Sequence, residues 1–274
     1  MQTAVEQRSA NQLKSFLEGK SRLIVLTGAG ISTASGIPTY RDKAGEWQRS
    51  TPIQHQDFLQ QPETRQRYWL RSYSGWPAVR RAQPNEAHRA LAVLESRGTC
   101  RLLVTQNVDR LHQKAGSRQV IDLHGRLDQV ICLKCHRRED RERLQARLKA
   151  LNPFLQETGQ TAPDGDADVE DHQVPLVTVP DCETCAGTLK PEVVFFGGNV
   201  NREIVQHIYA ELDEADGLLI VGSSLKVFSG YRFCRYAAER GLPIASINPG
   251  VTRADPLIQT KIQAEASPVL ASVC

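Results

Sequence analysis

The sequence predicts an α/β fold: a doubly wound, Rossmann-like parallel sheet with a small inserted module. Three observations lead there. Short apolar runs alternate with amphipathic helical stretches, the pattern of a parallel sheet covered on both faces. The first apolar run, Leu23-Ile24-Val25-Leu26, feeds directly into Gly28-Ala29-Gly30. Two Cys-x-x-Cys pairs, Cys132/Cys135 and Cys182/Cys185, bracket a stretch of different character.

The elements run in order along the chain. Leu13, Phe16 and Leu17 share one face of a helix over residues 10–18, and Gly19 stops it. After the strand at residues 23–26, a helix starts behind Asn85, a good N-cap, and ends at Gly98. Strands are expected at residues 101–105, 120–123, 193–196, 218–221 and 244–247. A helix over residues 231–239, stopped by Gly241, separates the last two. Residues 127–190 carry both cysteine pairs and an amphipathic helix marked by Leu144, Leu148 and Leu151. They also carry a tract, residues 156–174, rich in Pro, Gly, Asp and Glu, which predicts a mobile loop that buries little apolar surface. The partition is therefore residues 1–126 and 191–274 for the main domain and 127–190 for the module.

Composition removes several function classes. A net charge of +3 over 274 residues is too weak to argue for nucleic acid or a membrane surface. Acids interleave the Arg-rich stretch from Arg137 to Arg143, as on a solvated helix face. No apolar run reaches the roughly 18 residues a membrane span needs. The first twenty residues lack an apolar segment and carry Glu6 and Glu18, unlike a secretory or transit leader. Seven cysteines, an odd number with paired spacing, favour metal in a reducing compartment, by default the cytoplasm.

Thiolates two residues apart grip one metal from a tight turn, and two such turns complete a tetrahedral shell. Cys132, Cys135, Cys182 and Cys185 thus predict one structural zinc, because a closed shell leaves no position for water; redox thiols are the competing reading. Cys100, Cys234 and Cys274 are read as small hydrophobes or bystanders. The strand-to-glycine junction suits a dinucleotide pyrophosphate. Its third glycine is Gly36, and Glu46 follows no strand, so it departs from the dehydrogenase pattern and also fits a tight packing turn. His124 ends a strand where open α/β sheets bind ligands, and an ordinary histidine can take a proton at neutral pH. Asn107 and Asp109 sit just past another strand end, where cleft-facing and helix-capping roles are both open. His112 reads as a hydrogen-bonded helix residue.

Taken together, the stretch from Gly28 through Ser32, Pro38 and Tyr40 to Arg41 resembles the signature of the sirtuin family. Thr105-Gln106-Asn107-Val108-Asp109-Arg110-Leu111-His112, His124-Gly125, Gly222-Ser223-Ser224 and Asn248-Pro249-Gly250 are similar to its later blocks, in the family's order and over nearly the whole chain. The resemblance implies an NAD-dependent protein-lysine deacylase whose partners are acyl-lysine proteins or peptides. NAD would contact Gly28, Ala29, Gly30, Ser32, Pro38, Tyr40, Arg41, Gln106, Asn107 and Asp109, and later Gly222, Ser223, Ser224, Asn248, Gly250 and Ala266. Arg41 would sit in a mobile loop closing over NAD. Asn107 would serve the nicotinamide ribose and water, and Asp109 the nicotinamide carboxamide. The implied reaction expels nicotinamide when the acyl oxygen attacks the ribose. His124 then acts as general base on the ribose hydroxyls, and water releases lysine and O-acyl-ADP-ribose. Protein mono-ADP-ribosyl transfer would use the same site. A zinc-ribbon nucleic-acid module and a hydride-transferring dehydrogenase are the readings from other classes.

The peptide would add a strand between the segment holding Phe196 and Gly197 and the one holding Phe228 and Ser229. Gly198 departs from the family's acidic residue there. Tyr68-Trp69-Leu70-Arg71 has the Y-x-x-R spacing by which some sirtuins bind acidic acyl groups, and residues three apart share a helix face. An exposed amphipathic face explains the same pattern. The stretches at residues 71–77 and 228–233 look more like class II sirtuins known for poor deacetylation and for lipoyl or branched acidic acyl groups. The expectation is a pocket that prefers acidic or longer acyl groups over acetyl.

Overall fold

The central strands of the main sheet divide their side chains between two cores, as period-two geometry requires when both faces are covered. The computed structural model describes residues 4–42, 44, 46, 52–157, 161–167, 169 and 171–274. Helix α1 (Ala4–Leu17) leads into β1 (Leu23–Thr27), and α2 (His55–Gln60), α3 (Pro62–Arg81) and α4 (Glu86–Ser96) come after it. Next are β2 (Cys100–Thr105), α5 (Leu111–Lys114) and β3 (Val120–Asp122). The module supplies β4 (Gly125–Cys132), β5 (Arg138–Asp140), α6 (Arg141–Leu151) and β6 (Leu189–Val193). The chain ends with α7 (Arg202–Asp213), β7 (Gly217–Val221), α8 (Phe228–Glu239), β8 (Ile244–Ile247), β9 (Thr260–Ile262) and α9 (Ala266–Ala271).

The large sheet is parallel, in the order β3-β2-β1-β7-β8-β9. Leu23, Val25, Leu103, Leu219 and Val221 face a core closed by α1, α4 and α9. Ile24, Leu26, Leu102, Val104, Leu218 and Ile220 face the opposite core, closed by α7 and α8. This is the doubly wound architecture the sequence predicts. No helix among the described residues is long and apolar enough to cross a membrane.

The second sheet is antiparallel, β5-β4-β6. Its core holds Val130, Leu144, Leu148 and Leu189, but also Phe58, Tyr68, Trp69 and Tyr73 from α2 and α3. Residues 55–81, which the sequence assigns to the main domain, therefore share their apolar side chains with the module. Pro77 has no N–H to offer Tyr73, so that carbonyl accepts instead from the Gln145 side chain at 3.0 Å, tying α3 to α6. Arg141 is buried between Trp69 and Trp76.

Several expectations change. Residues 193–196 do not form a strand of the large sheet; β6 ends at Val193 in the antiparallel sheet. Leu151 is exposed: of the three leucines, only Leu144 and Leu148 are buried, on the face of α6 they share with Arg141 and Gln145. Helix α1 starts at Ala4, and α8 starts at Phe228, so Phe228 and Ser229 head a helix instead of lying extended. The described part of the 156–174 tract is docked: Ala162, Asp166, Ala167 and Val174 are buried. The Ala167 N–H donates to the Arg71 carbonyl of α3 at 3.0 Å. Residues 158–160, 168 and 170 of that tract lie outside the described residues.

Candidate functional site

Strands β1, β2 and β3 step one way across the sheet and β7, β8 and β9 the other, so the winding reverses between β1 and β7. Open α/β sheets bind ligands outside the C-terminal strand ends at such a reversal. Here that crevice is a cleft of about 980 Å³. The backbones at its floor are in contact: the Gly28 N–H donates to Val221 at 3.0 Å and the Gly30 N–H to Gly222 at 2.8 Å. A Cβ on Gly30 would lie 2.9 Å from the Gly222 carbonyl oxygen. Gly222 itself has φ +59, and a Cβ there would strike the Ile31 nitrogen. After Gly28 the chain makes a pair of 3-10 turns, Ala29–Ile31 and Thr33–Ser35. The Asn85 side chain caps α4 and donates to the Ile31 carbonyl at 2.8 Å, fixing these turns to the helix.

Just past β2, three side chains form a chain of hydrogen bonds. Asn107 Nδ2 donates to Ser32 Oγ at 3.1 Å, and Ser32 donates to the Asp109 carboxylate at 2.7 Å. Asp109 also accepts the Leu111 N–H at 2.9 Å. Burial raises its pKa, and those hydrogen bonds pull it back only in part. Gln106 donates to Ser223 Oγ at 2.9 Å, which links the ends of β2 and β7. Its backbone carbonyl lies 3.0 Å from His124 Nδ1. An N–H donated there leaves Nε2 with a free lone pair, and Ser229 Oγ lies 2.7 Å from it. Burial lowers the His124 pKa below the ordinary histidine value, so the ring is neutral at neutral pH. His124 can therefore accept a proton from a hydroxyl in the cleft. His112 is a buried residue of α5 whose Nε2 lies 2.9 Å from Thr27 Oγ1, as its helical reading expects.

The four cysteines of the two Cys-x-x-Cys turns converge, with all Sγ atoms within 4.8 Å of one another. Cys132–Cys185 and Cys135–Cys182 are 3.5 and 3.8 Å apart, against the ~3.8 Å edge of a tetrahedron built on a 2.3 Å Zn–S bond. The two turns repeat one hydrogen-bond plan. The His136 N–H donates to Cys132 O and the Ala186 N–H to Cys182 O, and both donor residues have positive φ. The donor set fits one zinc with a closed shell of thiolates, which makes the metal structural. Its place between β4 and β6 joins the two arms of the module.

Of the residues predicted to bind cofactor or substrate, all but two line the cleft. They are Gly28, Ala29, Gly30, Ser32, Tyr40, Arg41, Tyr68, Gln106, Asn107, Asp109, His124, Phe196, Gly197, Gly222, Ser223, Ser224, Phe228, Ser229, Asn248, Gly250 and Ala266. Pro38 is not on the wall, although its neighbours Ile37 and Thr39 are. Arg71 is not on the wall either: its guanidinium pairs with Asp166 at 3.4 Å. Sequence reasoning missed Asp164 and Asp166, which line the cleft from a tract read as solvent loop; their Pro-Asp-Gly-Asp setting signals only a turn. It also gave no role to Lys226 and Arg232, two cations on the wall.

Fold and cleft define an α/β dinucleotide-binding enzyme with a zinc module. Comparison with known proteins narrows this. Residues 28–229 match the sequence profile of the Sir2 family. An NAD-dependent protein deacetylase of Xanthomonas axonopodis pv. citri (strain 306) is 52% identical over 98% of this chain and 92% of its own. The human NAD-dependent protein lipoamidase sirtuin-4, mitochondrial, is 47% identical over 97% of this chain and 86% of its own. A solved structure described as Sir2-p53 peptide-NAD+ superimposes with a TM-score of 0.75, at 28% identity, covering 96% of this chain and 95% of that one. The chain belongs to the Sir2 family, the sirtuins, and is an NAD-dependent protein-lysine deacylase acting on acyl-lysine peptides or proteins.

Proposed function

We propose that this sirtuin removes acyl groups longer than acetyl, with His124 as the general base. NAD bound at the sheet reversal supplies the ribose carbon that takes the acyl oxygen. Residues Gly28 to Ser32, Gly222 to Ser224 and Asn248 to Gly250 would hold the dinucleotide, and Arg41 would close over it. Asn107 and Ser32 would orient the ribose hydroxyls and water, while Asp109 would accept from the nicotinamide amide. His124, fixed through Nδ1 on the Gln106 carbonyl, would take the ribose hydroxyl proton at Nε2, displacing Ser229 from that nitrogen. Phe196, Gly197, Phe228 and Ser229 would flank the substrate lysine.

The observation that carries the catalytic reading is the cleft-facing His124 just past β3, with Nδ1 on the Gln106 carbonyl and Nε2 facing Ser229 Oγ. The longer-acyl reading draws support from the lipoamidase relative and from the apolar faces of Ile53, Tyr68 and Phe195 on the cleft wall. A carboxylate-seeking Arg71 gains no support, because its charge is already matched by Asp166. Unpaired thiols throughout favour a reducing compartment, proposed as the cytoplasm. The test is an acyl-lysine peptide panel with NAD, read by mass spectrometry. Lipoyl or octanoyl turnover above acetyl, with O-acyl-ADP-ribose in solution, supports the reading. Acetyl preference, or ADP-ribose attached to protein, overturns it.

A further inference from the structure

Tyr68 and Arg71 lie three residues apart on α3, yet only Tyr68 reaches the cleft wall. Between Arg71 and the cleft stands Asp166, brought there by the loop at residues 161–167. We propose that Asp166 is an internal stand-in for a substrate carboxylate, occupying Arg71 so that the cleft beside Tyr68 selects acyl chains without a terminal negative charge. This rests on the deacylase reading and refines its substrate class.

The contact is enclosed. Arg71 Nε lies 3.4 Å from Asp166 Oδ2, with side chains 14% and 4% exposed. The loop that carries Asp166 is seated on the α3 backbone. The Ala167 N–H donates to Arg71 O at 3.0 Å, and inside the loop the Gly165 N–H donates to Ala162 O at 3.0 Å. One glycine permits the approach to α3, and a second shapes the loop beside Leu127 of β4. A Cβ on Gly75 of α3 would lie 2.5 Å from the Gly165 carbonyl oxygen and 2.7 Å from the Asp166 carbonyl carbon. Gly165 has φ +80, and a Cβ there would lie 2.5 Å from Leu127 Cδ1. Loop and helix are therefore fitted backbone to backbone, which a casually placed surface loop does not require.

Charge balance decides the consequence for substrates. An arginine holding one carboxylate in a poorly solvated setting has little attraction left for a second, and the second anion is repelled by the first. Asp164 and Asp166 both line the cleft, so an acidic acyl terminus would enter beside two carboxylates. Burial and the nearby Asp166 also push the Tyr68 phenol pKa upward, which keeps it a neutral hydrogen-bonding group. A neutral acyl chain, apolar or bearing an amide, meets no such repulsion.

The first experiment uses the unaltered enzyme. kcat/KM is measured for a succinyl-lysine peptide and for its uncharged isostere, in which the terminal carboxylate is an amide. The amide should be turned over at least about tenfold better. An enzyme that prefers the carboxylate overturns the proposal without any mutation. The second uses Asp166→Asn, which keeps the shape and releases Arg71. Succinyl turnover, taken relative to acetyl, should rise about ten- to a hundredfold, the worth of a freed charge-assisted contact. Adding Arg71→Met to that variant should abolish the rise. An Asp166→Asn protein with wild-type melting and an unchanged succinyl-to-acetyl ratio overturns the proposal. The acid–amide pair is matched in length, and the second test compares one ratio between wild type and variant, so both outcomes are independent of whether long chains beat acetyl and failure of the longer-acyl reading is seen separately.

Discussion

Replacing His124 by alanine removes the group best placed to take a proton in the cleft while leaving the strand that carries it intact. Two hydrogen bonds go with the ring, one to the Gln106 carbonyl and one to Ser229 Oγ. At about 1 kcal/mol each, the stability loss is about 2 kcal/mol, or a melting shift of roughly 4–8 °C for a chain of this size. The activity loss should be far larger. A positioned general base contributes about 10²–10⁴ in rate, which is about 2.7–5.4 kcal/mol of barrier. The assay is nicotinamide and free-lysine release from an acyl-lysine peptide, beside calorimetric NAD binding. Deacylation should fall at least about a hundredfold, with NAD affinity nearly retained and the protein folded at assay temperature. The wild-type profile should also show a single acid limb. Because burial lowers the His124 pKa, kcat/KM should fall only below about pH 6.5, where the ring gains a proton. An alanine variant keeping near wild-type turnover, or an acid limb above about pH 7, would refute the assignment.

Three further outcomes are expected. Purified protein should hold about one zinc per chain, and Cys182→Ala or chelation should lower the melting temperature, since a closed thiolate shell contributes folding free energy; iron, or a stable and active metal-free protein, would contradict this. Gly125→Ala should cost several kcal/mol and impair folding, because Gly125 has φ +81 and a Cβ there would overlap the Glu192 carbonyl; a variant melting like the wild type would show that β4 and β6 can shift apart. His88 and His112 are buried side by side, and burial pushes the His88 pKa down to about 4. The unfolded chain then binds protons that the fold refuses, so stability present above about pH 6.5 should decline as pH falls toward about 4. For His88 the loss is on the order of 3 kcal/mol. Denaturant melts of wild type and His88→Asn at about pH 7 and about pH 5 measure it, and equal slopes with pH would remove the attribution.

Much of the fold was legible in the sequence because its signals are local. The apolar runs at β1, β7 and β8 are buried at every position, and such runs mean a doubly covered sheet whatever surrounds them. Asn85 was read as a cap and is one, since capping depends on a side chain and the next three N–H groups. The metal ligands were legible for a similar reason: two residues between thiols already fix the bite of each turn, and the tertiary fold had only to bring the two turns together. The position of His124 at a strand end came from the same local pattern.

What the sequence alone could not decide was set by contacts between distant segments. Nothing near Arg71 announces Asp166; their pairing exists because Gly75 lets helix α3 and the loop meet at backbone distance, while Gly165 supplies the loop's positive-φ turn against Leu127. Leu151 carries the spacing of a buried residue, but the core beside α6 ends a turn earlier. Residues 193–196 have the composition of a parallel strand, yet the partner for β6 is β4, so pairing overrode propensity. Periodicity and spacing report on a chain's own few turns, and so they determined the sheet, the Asn85 cap, the zinc ligands and the placing of His124 at a strand end. Which charges meet beside Tyr68 in the cleft depends on how separate segments pack, and only the tertiary structure decided it.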